Sequence, residues 1–171
     1  MKRLLILSLS TGLGHVRAGE ALKKTAEQSF PNITVEHRDI IDLITLPLKK
    51  AVVDSYDLLI KNMPELWKYL YEKTDTPFIQ RRRFKTLEKA VKRINSSKLY
   101  QFIDDWKPDY ILATHFLPCE LLLSRKKEDI RCPIGVVITD YGIHELWMAE
   151  EVNRYFVATD IFFALSREDF A

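Results

Sequence analysis

A glycine turn at positions 10–15, with the sequence STGLGH, constrains the fold more than any other feature of the chain. The apolar run LLIL at positions 4–7 precedes it, and apolar positions at helical spacing begin at Ala18. This order predicts a buried strand, a tight turn and the start of a helix. Gly12 and Gly14 let the backbone turn sharply and approach a ligand closely, and the free amides of a helix N-terminus favour negative charge.

His15 stands at the end of this turn. The positive end of the helix disfavours an imidazolium, so we expect a neutral imidazole that can accept a proton from an incoming hydroxyl near physiological pH. His15 is therefore a candidate general base. The alternative is a histidine that only caps the first helical turn and binds nothing.

Apolar runs at 4–9, 33–37, 110–114 and 134–139 predict four buried strands, and a fifth is predicted at 154–158. Helical patterns separate these runs, which is typical of parallel strands covered on both faces. The chain is therefore assigned to the α/β class, as a Rossmann-like parallel sheet flanked by helices. Its 171 residues fit one domain.

A mainly helical insertion is predicted at about residues 45–106, between the second and third strands. It is aromatic around Trp67, and between positions 81 and 98 it carries eight basic residues against Glu88 alone. The whole-chain charge of +2 is too small to imply a nucleic-acid partner. The basic stretch is either a solvated helix face or a membrane-facing surface that binds anionic lipid. In the second case the candidate residues are Arg81, Arg82, Arg83, Lys85 and Trp67.

Location and cofactors follow from what the sequence lacks. It has no run of about 18 apolar residues, and its N-terminal apolar run is too short for a signal peptide, so we expect a cytoplasmic protein. Cys119 and Cys132 do not have C-x-x-C spacing, so we expect neither a disulfide framework nor a zinc knuckle.

Polar residues follow the predicted strands at the edge where an open parallel sheet binds its ligands. Three of the four histidines lie there, which makes this edge the candidate active site, whereas His37 at the end of the second strand is expected to be structural. Besides His15, the candidates are Thr114 and His115 after the third strand, and Asp140, His144 and Trp147 after the fourth.

Three segments together carry a resemblance to a known family. The first runs from position 8 or 10 to Ala18 and contains Gly12, Gly14 and His15; the second is P-D-x-I-x-x-T-H-x-x-P at 108–118, and the third is T-D-Y-x-x-H-x-x-W at 139–147. Over nearly its whole length the chain resembles the N-terminal domain of the monogalactosyldiacylglycerol synthase family, which includes the bacterial processive diacylglycerol glucosyltransferases.

The resemblance implies the acceptor-binding half, residues 1–171, of a two-domain glycosyltransferase of the GT-B type. A UDP-sugar is the implied co-substrate, with no other cofactor and no metal. It would be held mainly by a C-terminal donor domain, absent here and supplied in cis or by a partner chain. We expect the isolated domain to be inactive and to lie peripherally at the inner face of the cell membrane.

The resemblance also implies roles for individual residues. His15 would deprotonate the hydroxyl of diacylglycerol, and Gly12 and Gly14 would lie near the donor diphosphate. The other matching positions would bind substrate, and these are Thr114, His115, Asp140, His144 and Trp147.

Three other interpretations stay open. A dinucleotide-binding domain would use Gly12, Gly14 and Asp39, although Arg17 stands where the third glycine belongs. A non-catalytic subunit would dock a separate donor-binding chain to the membrane. A metal-dependent hydrolase lacks a short ligand pair, and its candidate ligands are His15, His115, Asp140 and His144.

Overall fold

A parallel sheet organises the computed structural model, which describes residues 1–56, 96–124, 132–140, 147–149 and 152–158. Within these residues the strand order is β2-β1-β3-β4-β5, and every neighbouring pair is parallel. The five predicted strands and the α/β fold class are confirmed. The strands are β1 (Lys2–Ser8), β2 (Ile33–Asp39), β3 (Tyr110–Ala113), β4 (Ile134–Val137) and β5 (Arg154–Phe156).

Five helices are described between the strands. The first connects β1 to β2, three lie between β2 and β3, and the last follows β3. They are α1 (Leu13–Ser29), α2 (Ile40–Leu43), α3 (Leu46–Tyr56), α4 (Ser97–Trp106) and α5 (Phe116–Ser124).

The strands are buried because their apolar side chains alternate between two cores. Leu5 and Leu7 of β1 belong to the larger core, which also contains residues of α4 and α5. Ile6, which points to the opposite face, packs with Ala26 of α1 and Val35 of β2. Each fully buried leucine or isoleucine contributes about 1.5–3 kcal/mol relative to an exposed one. Layers on both faces therefore hold the sheet, as in a Rossmann-like fold.

The strand order creates a crevice between β1 and β3. The chain leaves β1 toward β2 on one side, and it leaves β3 toward β4 on the other. Ligands of open α/β sheets bind at such a switch point, beyond the carboxyl ends of the strands. His15 follows β1, and Thr114 follows β3, so both residues border this crevice.

The predicted insertion lies partly outside the described residues. Helices α3 and α4 fall within its predicted bounds, whereas residues 57–95 are not described. The lipid-binding candidates Arg81, Arg82, Arg83, Lys85 and Trp67 all lie in that undescribed range. None of the helices described is long and apolar enough to cross a membrane.

Candidate functional site

The imidazole of His15 is held by the ends of two strands. Its Nδ1 lies 2.9 Å from the carbonyl oxygen of Thr114 and 2.7 Å from the hydroxyl oxygen of Thr139. A carbonyl oxygen can only accept a hydrogen bond, so this arrangement requires the hydrogen on Nδ1. In the neutral imidazole the lone pair is then on Nε2. Nε2 is therefore the atom that can accept a proton from a ligand.

Thr114 is fully buried and contacts His15 with two of its own groups. Besides the carbonyl contact to the imidazole, its hydroxyl donates a hydrogen bond to the main-chain carbonyl of His15 at 2.9 Å. Its amide donates to the carbonyl of Leu7 at 3.0 Å, next to the pairing of β1 with β3. Thr114 was predicted to bind substrate, and the contacts described here show it holding His15.

His115 lies beside His15 as a neutral aromatic ring. The two ring centroids are 4.6 Å apart, with the planes nearly perpendicular at 87°. Nδ1 of His115 accepts a hydrogen bond from the amide of Leu117 at 3.0 Å, so the ring caps the start of α5. Burial, and to a smaller extent the electrostatic effect of the neighbouring His15 ring, lowers the pKa of His115 to about 3. His115 is therefore uncharged at physiological pH.

Trp147 completes an aromatic group around the two histidines. Its side chain is buried, and its ring centroid lies 6.2 Å from that of His15 and 6.1 Å from that of His115. The indole nitrogen donates a hydrogen bond to Oδ2 of the exposed Asp140 at 2.9 Å. The structure therefore brings four of the predicted residues close to His15 or to a neighbour of it. The fifth, His144, lies outside the described residues.

Gly12 and Gly14 do not have backbone conformations that only glycine adopts. Gly12 precedes α1 with φ −174° and ψ 148°, an extended conformation that any residue adopts, and no described glycine has a positive φ. The predicted turn is present at positions 10–12, between β1 and α1, but the conformation of Gly12 does not require glycine. A Cβ atom added to Gly14 would meet no atom within 4 Å. The helix N-terminus beside His15 thus has open space next to it.

His37 and Asp39 make contacts within the fold. Nε2 of His37 lies 2.9 Å from the hydroxyl of Ser8, which fits the structural role expected for it. Oδ1 of Asp39 accepts hydrogen bonds from the amides of Ile41 and Ser10, at 3.0 and 3.3 Å. The same carboxylate oxygen caps α2, so these contacts do not favour the ribose-binding role considered for Asp39.

Metal binding receives no support from the described ranges. Within them, no three histidine, cysteine or carboxylate side chains come together in a group that could hold an ion. Thr139 ends the fourth predicted strand and begins the third motif, so the sequence placed it at the candidate edge without assigning it a role. The structure shows its hydroxyl beside Nδ1 of His15.

The fold and the site define a Rossmann-like α/β domain with a histidine-centred crevice at its topological switch point. A family model described as monogalactosyldiacylglycerol (MGDG) synthase matches residues 15–164. The chain belongs to this family.

Curated relatives share a single printed function. The chain is 28% identical over 170 residues to a processive diacylglycerol beta-glucosyltransferase of Bacillus cereus strain B4264. It is 28% identical over 171 residues to the protein of that name from Bacillus mycoides strain KBAB4, and 29% over 170 residues to that from Bacillus thuringiensis strain Al Hakam. Each comparison covers 92% of this chain but 39% of the relative, so the chain spans well under half the length of these relatives. No solved structure matches the chain.

Proposed function

We propose that this chain is the acceptor-binding part of a glycosyltransferase that transfers a hexose from a UDP-sugar to diacylglycerol. Membership of the family and the printed names of the relatives support the class of reaction. The observation that carries the assignment to this site is the position of His15, whose Nδ1 contacts two oxygens at the ends of β3 and β4. This leaves Nε2 as the basic atom at the switch point of the sheet.

His15 is the general base in this proposal. Nε2 takes the proton of the acceptor hydroxyl while the hydroxyl oxygen forms a bond to the anomeric carbon of the sugar. The bond between that carbon and the diphosphate oxygen breaks, and UDP leaves with the electron pair. Nε2 then releases the proton to solvent. Such a step is typically worth ~10²–10⁴ in rate.

The N-terminus of α1 supports the leaving group in this mechanism. Negative charge develops on the diphosphate as the bond breaks, and free amides at the start of a helix stabilise an anion. Gly12 and Gly14 lie at this end of α1, and the open space beside Gly14 admits a phosphate close to the backbone. The remaining donor contacts belong to a donor-binding domain, in cis or on a partner chain.

The acceptor explains why the protein would work at a surface. Diacylglycerol remains in the bilayer, so the enzyme acts peripherally at the inner face of the cell membrane. The basic side chains at 81–85 then bind anionic lipid, and each contributes on the order of 1 kcal/mol. Trp147 and His115 line the side of His15 at which the acceptor binds, because both rings pack against His15. Asp140 and His144 follow the same strand and contact the substrates.

The test is sugar transfer by the complete enzyme, measured from UDP-glucose to diacylglycerol in vesicles. His15→Ala is expected to lower the rate by ~10²–10⁴ while leaving the melting temperature close to that of the wild type. Lys24→Ala is the matched control, since Lys24 is an exposed residue of the same helix. Activity of His15→Ala within threefold of wild type would remove His15 from the mechanism.

A further inference from the structure

We propose that Thr139 is a positioning residue for His15: its hydroxyl and the carbonyl of Thr114 together hold the imidazole so that Nδ1 carries the hydrogen and Nε2 faces the ligand. The catalytic consequence of this inference rests on the proposed function of His15 as the base. The orientation of the His15 imidazole by Thr139 and Thr114 does not depend on that function and can be tested separately.

Three atoms form a closed triangle around the Nδ1 hydrogen. Nδ1 of His15 lies 2.9 Å from the carbonyl oxygen of Thr114 and 2.7 Å from the hydroxyl oxygen of Thr139, and these two oxygens are 3.4 Å apart. One placement of hydrogens satisfies all three contacts. Nδ1–H donates to both oxygens, and the hydroxyl donates its own hydrogen to the second lone pair of the carbonyl.

The opposite tautomer does not fit this triangle. With the hydrogen on Nε2, the lone pair of Nδ1 would face the carbonyl lone pairs at 2.9 Å, and a hydroxyl hydrogen could relieve only the contact with Thr139. The two oxygens also come from different strand ends, after β3 and after β4, while His15 belongs to α1. Three separate elements thus fix the ring in rotation as well as in tautomer.

The contacts with Thr139 and Thr114 also suit the charged form of the base. When Nε2 takes a proton, Nδ1–H becomes a charge-assisted donor, and its bonds to neutral oxygens strengthen. The adjacent carboxylate of Asp140 accepts from the indole of Trp147. Among the described contacts, the base is therefore oriented by a hydroxyl and a carbonyl, whereas Asp140, the carboxylate next to Thr139 in sequence, binds the indole of Trp147.

The test of position uses the chain itself, labelled with ¹⁵N at histidine, and reads the protonation of each imidazole nitrogen by NMR. Wild type and Thr139→Ser are expected to show His15 as a single tautomer with hydrogen on Nδ1. Thr139→Val removes the hydroxyl at nearly constant volume and leaves the imidazole held by the carbonyl of Thr114 alone. The ring can then turn away from that carbonyl, so a mixture of tautomers is expected. Thr34→Val is the matched control, because Thr34 is exposed on β2, and it should leave the His15 signals unchanged.

The result that overturns the inference is a Thr139→Val protein whose His15 signals match those of wild type. Amide spectra and melting temperatures show whether the variant is folded. Should Thr139→Val fail to fold, Thr139→Ala removes the same hydroxyl without placing a methyl group against the imidazole. A mixture of tautomers in that variant would support the inference, and wild-type His15 signals would overturn it.

A second arm measures transfer kinetics in the complete enzyme. Thr139→Val is expected to lower kcat about tenfold with KM unchanged, as for a partial loss of general-base catalysis, and Thr139→Ser should stay within about twofold of wild type. A tautomer mixture with unchanged kcat would contradict the proposed base while the positioning stands. A lowered kcat with an unchanged tautomer would contradict the positioning.

Discussion

Thr114 holds His15 at two points: its carbonyl oxygen accepts from the imidazole at 2.9 Å, and its hydroxyl donates to the main-chain carbonyl of His15 at 2.9 Å. The two residues are 99 positions apart in sequence. Because the amide of Thr114 also bonds to the end of β1, the sheet sets the place of the histidine as much as its own helix does.

Two glycines of α1 should respond in opposite directions to the same substitution. A Cβ on Gly19 would lie 2.4 Å from Nε2 of His37, which is bonded to the fully buried Ser8. Overpacking costs about 1–3 kcal/mol and an unsatisfied buried hydroxyl a similar amount, against about 1 kcal/mol gained from alanine in a helix. Gly19→Ala should therefore lower the free energy of unfolding by about 1–5 kcal/mol in urea titration.

Gly14→Ala is the matched control for Gly19→Ala. Its Cβ would meet nothing within 4 Å, so the free energy of unfolding should stay the same or rise by up to about 1 kcal/mol. Equal losses in the two variants would contradict the packing described for Gly19. In the complete enzyme Gly14→Ala should nevertheless reduce transfer, because the new methyl group occupies space proposed for the diphosphate.

His115 should make stability depend on pH. Its pKa falls from 6.5 to about 3 on folding, chiefly because burial disfavours the imidazolium. Between these values the unfolded chain binds the extra proton and the folded one does not, so stability rises with pH. Above pH 6.5 the titration of His115 costs no stability. As the pH falls from 6.5 toward 3, the free energy of unfolding decreases by at most ~1.4 kcal/mol per pH unit.

The comparison for His115 is His115→Asn, which can still cap α5 but does not titrate. Urea titrations at pH 7.5 and pH 5 should show a smaller loss for the variant than for wild type. Burial also lowers the pKa of His37, but His37 is present in both proteins and cancels in the difference. If both proteins lose the same unfolding free energy at pH 5, the pKa of His115 is not lowered in the way described.

Trp147 should stabilise the folded protein more by filling space than by its hydrogen bond. Its side chain is 2% exposed, so Trp147→Ala leaves a cavity expected to cost about 3–5 kcal/mol of unfolding free energy. Trp147→Phe keeps an aromatic ring and loses the bond to the exposed Asp140, for which about 1 kcal/mol is expected. Thermal unfolding of both variants checks this order, and a costlier Phe variant would contradict it.

The basic stretch should bind anionic membranes in a salt-sensitive manner. Replacing Arg81, Arg82 and Arg83 with glutamine removes about 3 kcal/mol of attraction, which corresponds to roughly a hundredfold weaker partition into vesicles containing anionic lipid. A control variant neutralises three lysines outside the insertion, Lys23, Lys24 and Lys107, and should bind nearly as wild type. Unchanged binding of the arginine variant would show that this stretch is not the anchor.

Local patterns predicted the strands well because burial leaves a local signature. The apolar run at 4–9 matched β1, Lys2–Ser8, to within two residues, and the run at 134–139 contains β4. Asp39 was harder to interpret. A carboxylate after the second strand is the same sequence signal whether it binds a ribose or caps a helix, and only its contacts with the amides of Ser10 and Ile41 show the second use.

The α/β class, the family and the edge of the sheet at which polar residues gather could be predicted from the sequence, because apolar periodicity and short motifs are properties of neighbouring residues. Tertiary structure alone decided which nitrogen of His15 is basic and that Thr139 reaches it, since those contacts join residues 99 and 124 positions away. Such contacts depend on the order of strands in the sheet and on hydrogen-bond geometry, and neither is encoded in a local pattern.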